Sequence, residues 1–150
     1  MRTRGGTTSR RRMHGVAAVE LGMMLVPLLT LTFGVTEYGR AIYTYNAIDK
    51  AARDAARHLT TVLPTNPDPQ GQARNLAVYG NIEGTGSPLA PGLTTAMVAI
   101  DTQDSVPTGS GVVNLVTVRI SGYTYNSIVT YVAPATLDFS DIAVTMRSQL

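Results

Sequence analysis

Gly15, Val16 and Glu20 are the residues of this chain whose types and spacing point to chemistry, with Arg10, Arg11 and Arg12 just ahead of them. Cutting the Gly15–Val16 bond would free the Val16 amine and make Glu20 the fifth residue of the shortened chain. An α-amine with a reference pKa near 8 is largely cationic at neutral pH. A carboxylate in the first turn of a helix is favoured by the helix dipole by about 0.3–1 kcal/mol. In a bundle of such helices it can also pair with the amine of a neighbouring subunit. On that reading the chemistry would be hydrolysis done to this chain, followed by charge pairing. A carboxylate at membrane depth is otherwise costly and a functional candidate by default. The plain alternative is a glutamate that snorkels to the interface.

The element that must position these residues is apolar. From Val16 to Thr36 Glu20 is the one charged residue. A helix rising about 1.5 Å per residue would span roughly 31 Å over that stretch, close to a bilayer's hydrocarbon core. The segment is greasy all round rather than on one stripe, which argues against a buried core helix. Pro27 lies inside it and removes one backbone hydrogen bond, so a kink is expected there. The basic residues precede the segment, which places the leader in the cytoplasm and exports the body. Three readings compete. A cleaved signal peptide would have a shorter apolar run and a small-residue site after it, and Thr36-Glu37-Tyr38-Gly39-Arg40-Ala41 offers no good one. A plain signal anchor gives Glu20 no role. A leader of residues 1–15, cut on the cytoplasmic side, gives it one.

Charge is unevenly spread. The formal net charge is +2, yet five arginines precede Gly15 and no acid precedes Glu20. Without residues 1–15 the chain carries 7 Lys/Arg against 10 Asp/Glu, a formal −3. A body of that sign repels phosphate, and the arginines are not interleaved with aromatics, so no nucleic-acid partner is expected. The absence of cysteine excludes disulfides and thiolate chemistry. Residues 1–14 are polar, basic and rich in Gly, Thr and Ser, and are expected to be disordered in isolation.

Beyond Thr36 the pattern becomes amphipathic. Ala41, Tyr45, Ile48, Ala52, Ala55 and Leu59 follow helical spacing on one face. Arg40, Asp49, Lys50, Arg53, Asp54 and Arg57 lie opposite. Asp49 with Arg53 and Lys50 with Asp54 are placed to pair across one turn. One long helix is expected over 16–62, with 16–36 spanning a membrane and 37–62 amphipathic. Pro64, Pro67 and Pro69 should end it in an extended turn. Gly71–Tyr79 reads as a short helix with Ala73, Leu76 and Ala77 on one side, and 80–92 as loop. Thr95–Asp101 reads as a strand, 102–111 as a polar connection, Val112–Tyr125 as a long strand and Leu137–Met146 as the last. Residues 126–132 fit a strand or a short helix. The fold class is α+β: a long N-terminal helix packed on a small antiparallel sheet of three to four strands, with 63–150 as an exported domain.

No catalytic site, cofactor or metal site is expected. His14 would leave with a cleaved leader, and His58 lies near a helix end, where a cation suits the dipole. Asp101 and Asp104 resemble a fragment of a calcium loop, but the Gly and the distal Glu of that motif are missing. No nucleophile elbow, P-loop or dinucleotide fingerprint appears. Asp138 and Asp141 read as solvated charges. Tyr123, Tyr125 and Tyr131 read as half-buried sheet residues, with an exposed contact patch as the sharper alternative.

The stretch Gly15-Val16-Ala17-Ala18-Val19-Glu20-Leu21, the apolar run with Pro27, then Phe33 to Ala41 and Ala51 to Arg57, resembles the TadE/TadG-like family. These are minor pilins or pseudopilins of tight-adherence (Flp, type IVb) pilus systems. Val116 to Arg119 and Tyr123 to Tyr125 resemble the family's C-terminal strands less specifically. The resemblance implies a prepilin-type leader cut after Gly15 by a prepilin peptidase, with Glu20 as the mature fifth-position carboxylate. Leu21 stands where the family often has an aromatic. It further implies an inner-membrane, single-pass protein that meets other pilin and pseudopilin subunits, the assembly platform and membrane lipid. The chain is larger than the family's major pilin, which implies an initiating, tip or adhesive role. The reading from another class is an unprocessed, membrane-anchored binding protein.

Overall fold

The computed structural model describes residues 9–62, 65–109 and 111–148, with side chains from Gly15 onward. The long helix α1 runs unbroken over Ser9–Thr61, through Pro27. It starts six residues ahead of Gly15. Ser9-Arg-Arg-Arg-Met-His contains no proline or glycine, and Arg and Met are good helix formers, so the expected disorder is not seen over 9–14. Residues 1–8 lie outside the described residues. In the apolar half, the hydroxyls of Thr30, Thr32 and Thr36 donate to the carbonyls of Val26, Leu28 and Thr32 at 2.8–2.9 Å. Each polar side chain is thereby satisfied by its own helix, as an apolar medium requires. Among the described residues this is the one helix long and apolar enough to cross a membrane, and none of that stretch is buried by its own chain. It is a candidate membrane anchor.

Leu63 and Pro64 lie outside the described residues. Asp68 caps the next helix, α2 (Pro69–Tyr79), by accepting the Gly71 N–H at 2.8 Å, and Pro69 takes the first position, where its missing N–H costs nothing. Pro69 thus starts a helix instead of extending the turn after α1. Gly80 ends α2 at φ 73°, its N–H bonded to the Leu76 carbonyl.

Three strands, β1 (Val98–Pro107), β2 (Val112–Ile120) and β5 (Ile142–Ser148), form an antiparallel sheet with β2 central. Val118 sits opposite Ile100 and Val144, and Ile120 opposite Val98 and Ile142. That face meets Ile48, Ala52, Ala55, Ala56 and Leu59 of α1 in the core. On the solvent face the hydroxyls of Thr117 and Thr145 bond at 2.8 Å, and Arg119 pairs with Asp141. The expected face of α1 is the buried one, except that Tyr45 stays 36% exposed. Asp49 and Arg53 form their ion pair, whereas Lys50 and Asp54 do not come within pairing distance.

Several strand expectations need correction. Thr95–Met97 is a 3-10 turn, and β1 runs on through the polar 102–107 because an edge strand can show polar side chains to water. Ser105, at φ 58°, marks a bulge where the register shifts. Val112–Tyr125 is two strands. Val116, Val118 and Ile120 have even numbers and the buried Tyr123 and Tyr125 odd, so a continuous strand would expose one set. Gly122, at φ 71°, makes the break. The same parity change separates Leu137 and Phe139 from Ile142, Val144 and Met146, and the chain splits there too. The pieces β3 (Thr124–Asn126) and β4 (Thr136–Asp138) pair in a second, two-stranded sheet. Between them, 127–135 is neither strand nor helix but a looped turn, with the N–H groups of Val132 and Ala133 both reaching the Val129 carbonyl.

Candidate functional site at the end of the apolar segment

Glu37 comes directly after the apolar segment of α1, which ends at Thr36, and is 3% exposed. One of its carboxylate oxygens, Oε1, accepts three hydrogen bonds: from the Tyr125 hydroxyl at 2.9 Å, the Ile128 N–H at 3.0 Å and Arg40 Nη2 at 3.1 Å. Arg40 Nη2 also donates to the Asn126 carbonyl at 3.0 Å, and the guanidinium lies 5.0 Å from the centre of the Tyr125 ring. The helix thus offers an i, i+3 acid–base pair, and β3 with its following loop closes over it. Burial opposes the charge on Glu37. The Ile128 N–H, the Tyr125 hydroxyl and Arg40 outweigh it and hold the carboxyl at about 2, below its ordinary 4.5. Burial and the bond to Glu37 push the Tyr125 phenol up, against the pull of Arg40.

Aromatic rings back this cluster. Phe139 lies 5.4 Å from Tyr45 on α1, 5.3 Å from Tyr123 and 6.0 Å from Tyr125, the last pair stacked. The Tyr123 hydroxyl donates to the Pro91 carbonyl at 3.0 Å. None of the three tyrosines is the half-buried residue expected: Tyr123 and Tyr125 are buried, and Tyr131 is 96% exposed. This arrangement holds and orients: the Tyr125 hydroxyl that meets Glu37 is buried with its pKa raised, and the lowered pKa of Glu37 makes it a weak base, so the pair serves as donor and acceptor. Asp138 accepts from the Thr124 hydroxyl and Asp141 faces Arg119, so each serves a separate sheet. Asp101 and Asp104 lie on β1 rather than in a loop. Among the described residues no three metal-ligating side chains gather.

The residues singled out by sequence lie at the other end of the apolar run. Gly15, Val16 and Glu20 are exposed on α1, with Gly15 inside the helix rather than before it. Glu20 has no partner among the described residues. Arg10, Arg11 and Arg12 belong to the first turns of α1, and their side chains lie outside the described residues. Pro27 sits midway between Glu20 and the Glu37 site. Sixteen uncharged residues separate Glu20 from Glu37, about 26 Å between the two carboxylate positions at 1.5 Å per residue. The two acids bracket the apolar segment. Sequence reading missed the second because Glu37 looked like a flanking charge. The signal was present: stepping back four from Ala41 along the buried stripe lands on Glu37.

No curated protein and no solved structure matches the chain. Residues 15–57, from the Gly15–Val16 bond through the apolar run and the Glu37–Arg40 pair to Arg57, match the TadE-like protein family.

Proposed function

We propose that the chain is a pilus-associated membrane protein of the Tad type: a minor pilin or pseudopilin, cut after Gly15 by a prepilin peptidase and built into or onto an assembling filament. The observation that carries this reading is the span of the family match, which starts at Gly15 and covers α1 almost to its end. The structure of α1 is compatible with it. Its first half is covered by nothing of its own chain, as suits a helix destined for lipid or for a bundle of like helices, and its second half is committed to the domain. Cleavage would leave Glu20 one turn from a new amine. Gly15 in a helix interior is less favourable than Ala by about 1 kcal/mol, which eases local unwinding for a peptidase.

One observation favours a second reading, an uncut anchor carrying a binding domain. The Gly15–Val16 bond lies within a continuous helix, and a protease needs its substrate extended. N-terminal sequencing of the protein from membranes, with and without a prepilin peptidase, separates the two. The pilin reading expects a peptidase-dependent Val16 terminus, abolished by Gly15→Leu. A Met1 terminus in both samples would leave the anchor.

A further inference from the structure

The loop 127–133 has a position and a chemistry that the pilus reading does not use. Its position is fixed by two hydrogen bonds. The Ile128 N–H donates to Glu37, and the Asn126 carbonyl just ahead of the loop accepts from Arg40. The loop therefore lies beside helix positions 37–40, immediately past the apolar segment that ends at Thr36. Its chemistry is that of an interface. No residue from Asn126 to Leu137 is charged. Ile128 is 73% exposed and Tyr131 96% exposed, so neither is held by the domain's own core. Val132 lines a shallow apolar groove of about 610 Å³ whose other wall includes Leu31, Val35 and Tyr38 of α1.

That groove identifies the occupant. Much of its helical wall belongs to 16–36, so it continues without a break into the surface that faces acyl chains if α1 crosses a bilayer. A tyrosine and an isoleucine on an uncharged loop at that level suit the headgroup boundary, where amphipathic rings are favoured. We propose that the loop 127–133 is a second membrane contact, seating Tyr131 and Ile128 in the bilayer interface beside the point where α1 leaves it. With the loop pinned to Glu37, this contact would fix the tilt of the domain on the membrane surface. The proposal rests on the reading that α1 is embedded in a bilayer.

The chain has no tryptophan, so single-tryptophan variants report one site each. The full chain would be placed in phosphatidylcholine–phosphatidylglycerol vesicles with plain or brominated acyl chains. Leu29→Trp reports the span and Tyr131→Trp the loop. Val112→Trp reports the far end of the domain: Val112 is exposed at the start of β2, three residues ahead of Leu115, which lines a groove with Leu59 and Val62 at the distal end of α1. The expected result is loss of emission by bromine at Leu29→Trp, a smaller but clear loss with a blue-shifted maximum at Tyr131→Trp, and none at Val112→Trp. Tyr131→Trp behaving like Val112→Trp while Leu29→Trp is quenched overturns the loop contact and leaves the anchor standing. No quenching at Leu29→Trp overturns both. A blue shift at Tyr131→Trp that grows with protein density without bromine quenching means that the loop seats on a second copy, and overturns the lipid contact.

Discussion

Glu37 and Tyr125 are 88 residues apart in the chain and 2.9 Å apart in the fold. Their contact makes a carboxylate that is out of water yet charged, because three donors converge on it. The consequence for pH has a definite sign. The folded carboxyl titrates at about 2 against an ordinary 4.5, so the unfolded state binds its proton first as pH falls. The stability that Glu37 contributes is fully present above about pH 4.5 and is lost progressively as pH falls through 4.5 toward 2. Thermal unfolding of the full chain in detergent at a series of pH values should show the melting temperature dropping in that window. Glu37→Gln should melt lower at neutral pH and lose most of that dependence. Tyr125→Phe, which removes only a hydroxyl, should destabilise by about 1–2 kcal/mol at neutral pH.

At the scale of elements, the amphipathic half of α1 works because its inner face is small. Ala52, Ala55 and Ala56 are fully buried against the rest of the domain, and the absence of longer side chains lets the helix backbone lie close to it. Ala55→Leu should therefore overpack the interface and destabilise by about 1–3 kcal/mol. Arg53→Leu, on the exposed side, should cost only a few tenths from loss of its pairing with Asp49. Chemical denaturation followed by circular dichroism compares them. Equal losses at both positions would mean that the stripe does not pack as described. The strands follow the same logic. Where the apolar parity flips, at 121–122 and again at 139–142, the chain leaves one sheet for the other instead of exposing half its apolar side chains.

At the scale of the whole molecule, two carboxylates frame one apolar segment and differ in how they are satisfied. Glu37 is neutralised by its own chain. Glu20 is exposed and has no partner among the described residues, so its compensation must come from water, lipid headgroups or another subunit. Under the pilin reading that partner is a neighbour's new amine. Glu20→Ala should then leave processing at Gly15 intact while the mature protein fails to co-purify with other pilus subunits. Full co-purification of the variant would remove the role assigned to Glu20. Because the domain is docked to α1 through Glu37, Arg40 and the buried face from Ile48 to Leu59 rather than by the apolar half, changes at Glu20 should leave its melting temperature unchanged.

How much was legible follows from the range of the forces involved. The sequence alone determined the long helix, its change from uniformly apolar to amphipathic at Thr36, the Ala-rich face and the α+β class. It also determined the Gly15–Glu20 spacing and the family resemblance that residues 15–57 confirm. Those features are local: hydrophobic periodicity, helix-compatible spacing and charge asymmetry are carried by neighbours a few residues apart. The tertiary structure decided what needed distant partners. It brought Tyr125, Asn126 and Ile128 onto Glu37 and Arg40, divided five strands between two sheets, and left Ile128 and Tyr131 exposed at the end of the apolar segment. A carboxylate on a helix looks the same in sequence whether water or a tyrosine from 88 residues away satisfies it, and only the closed chain supplies that second partner.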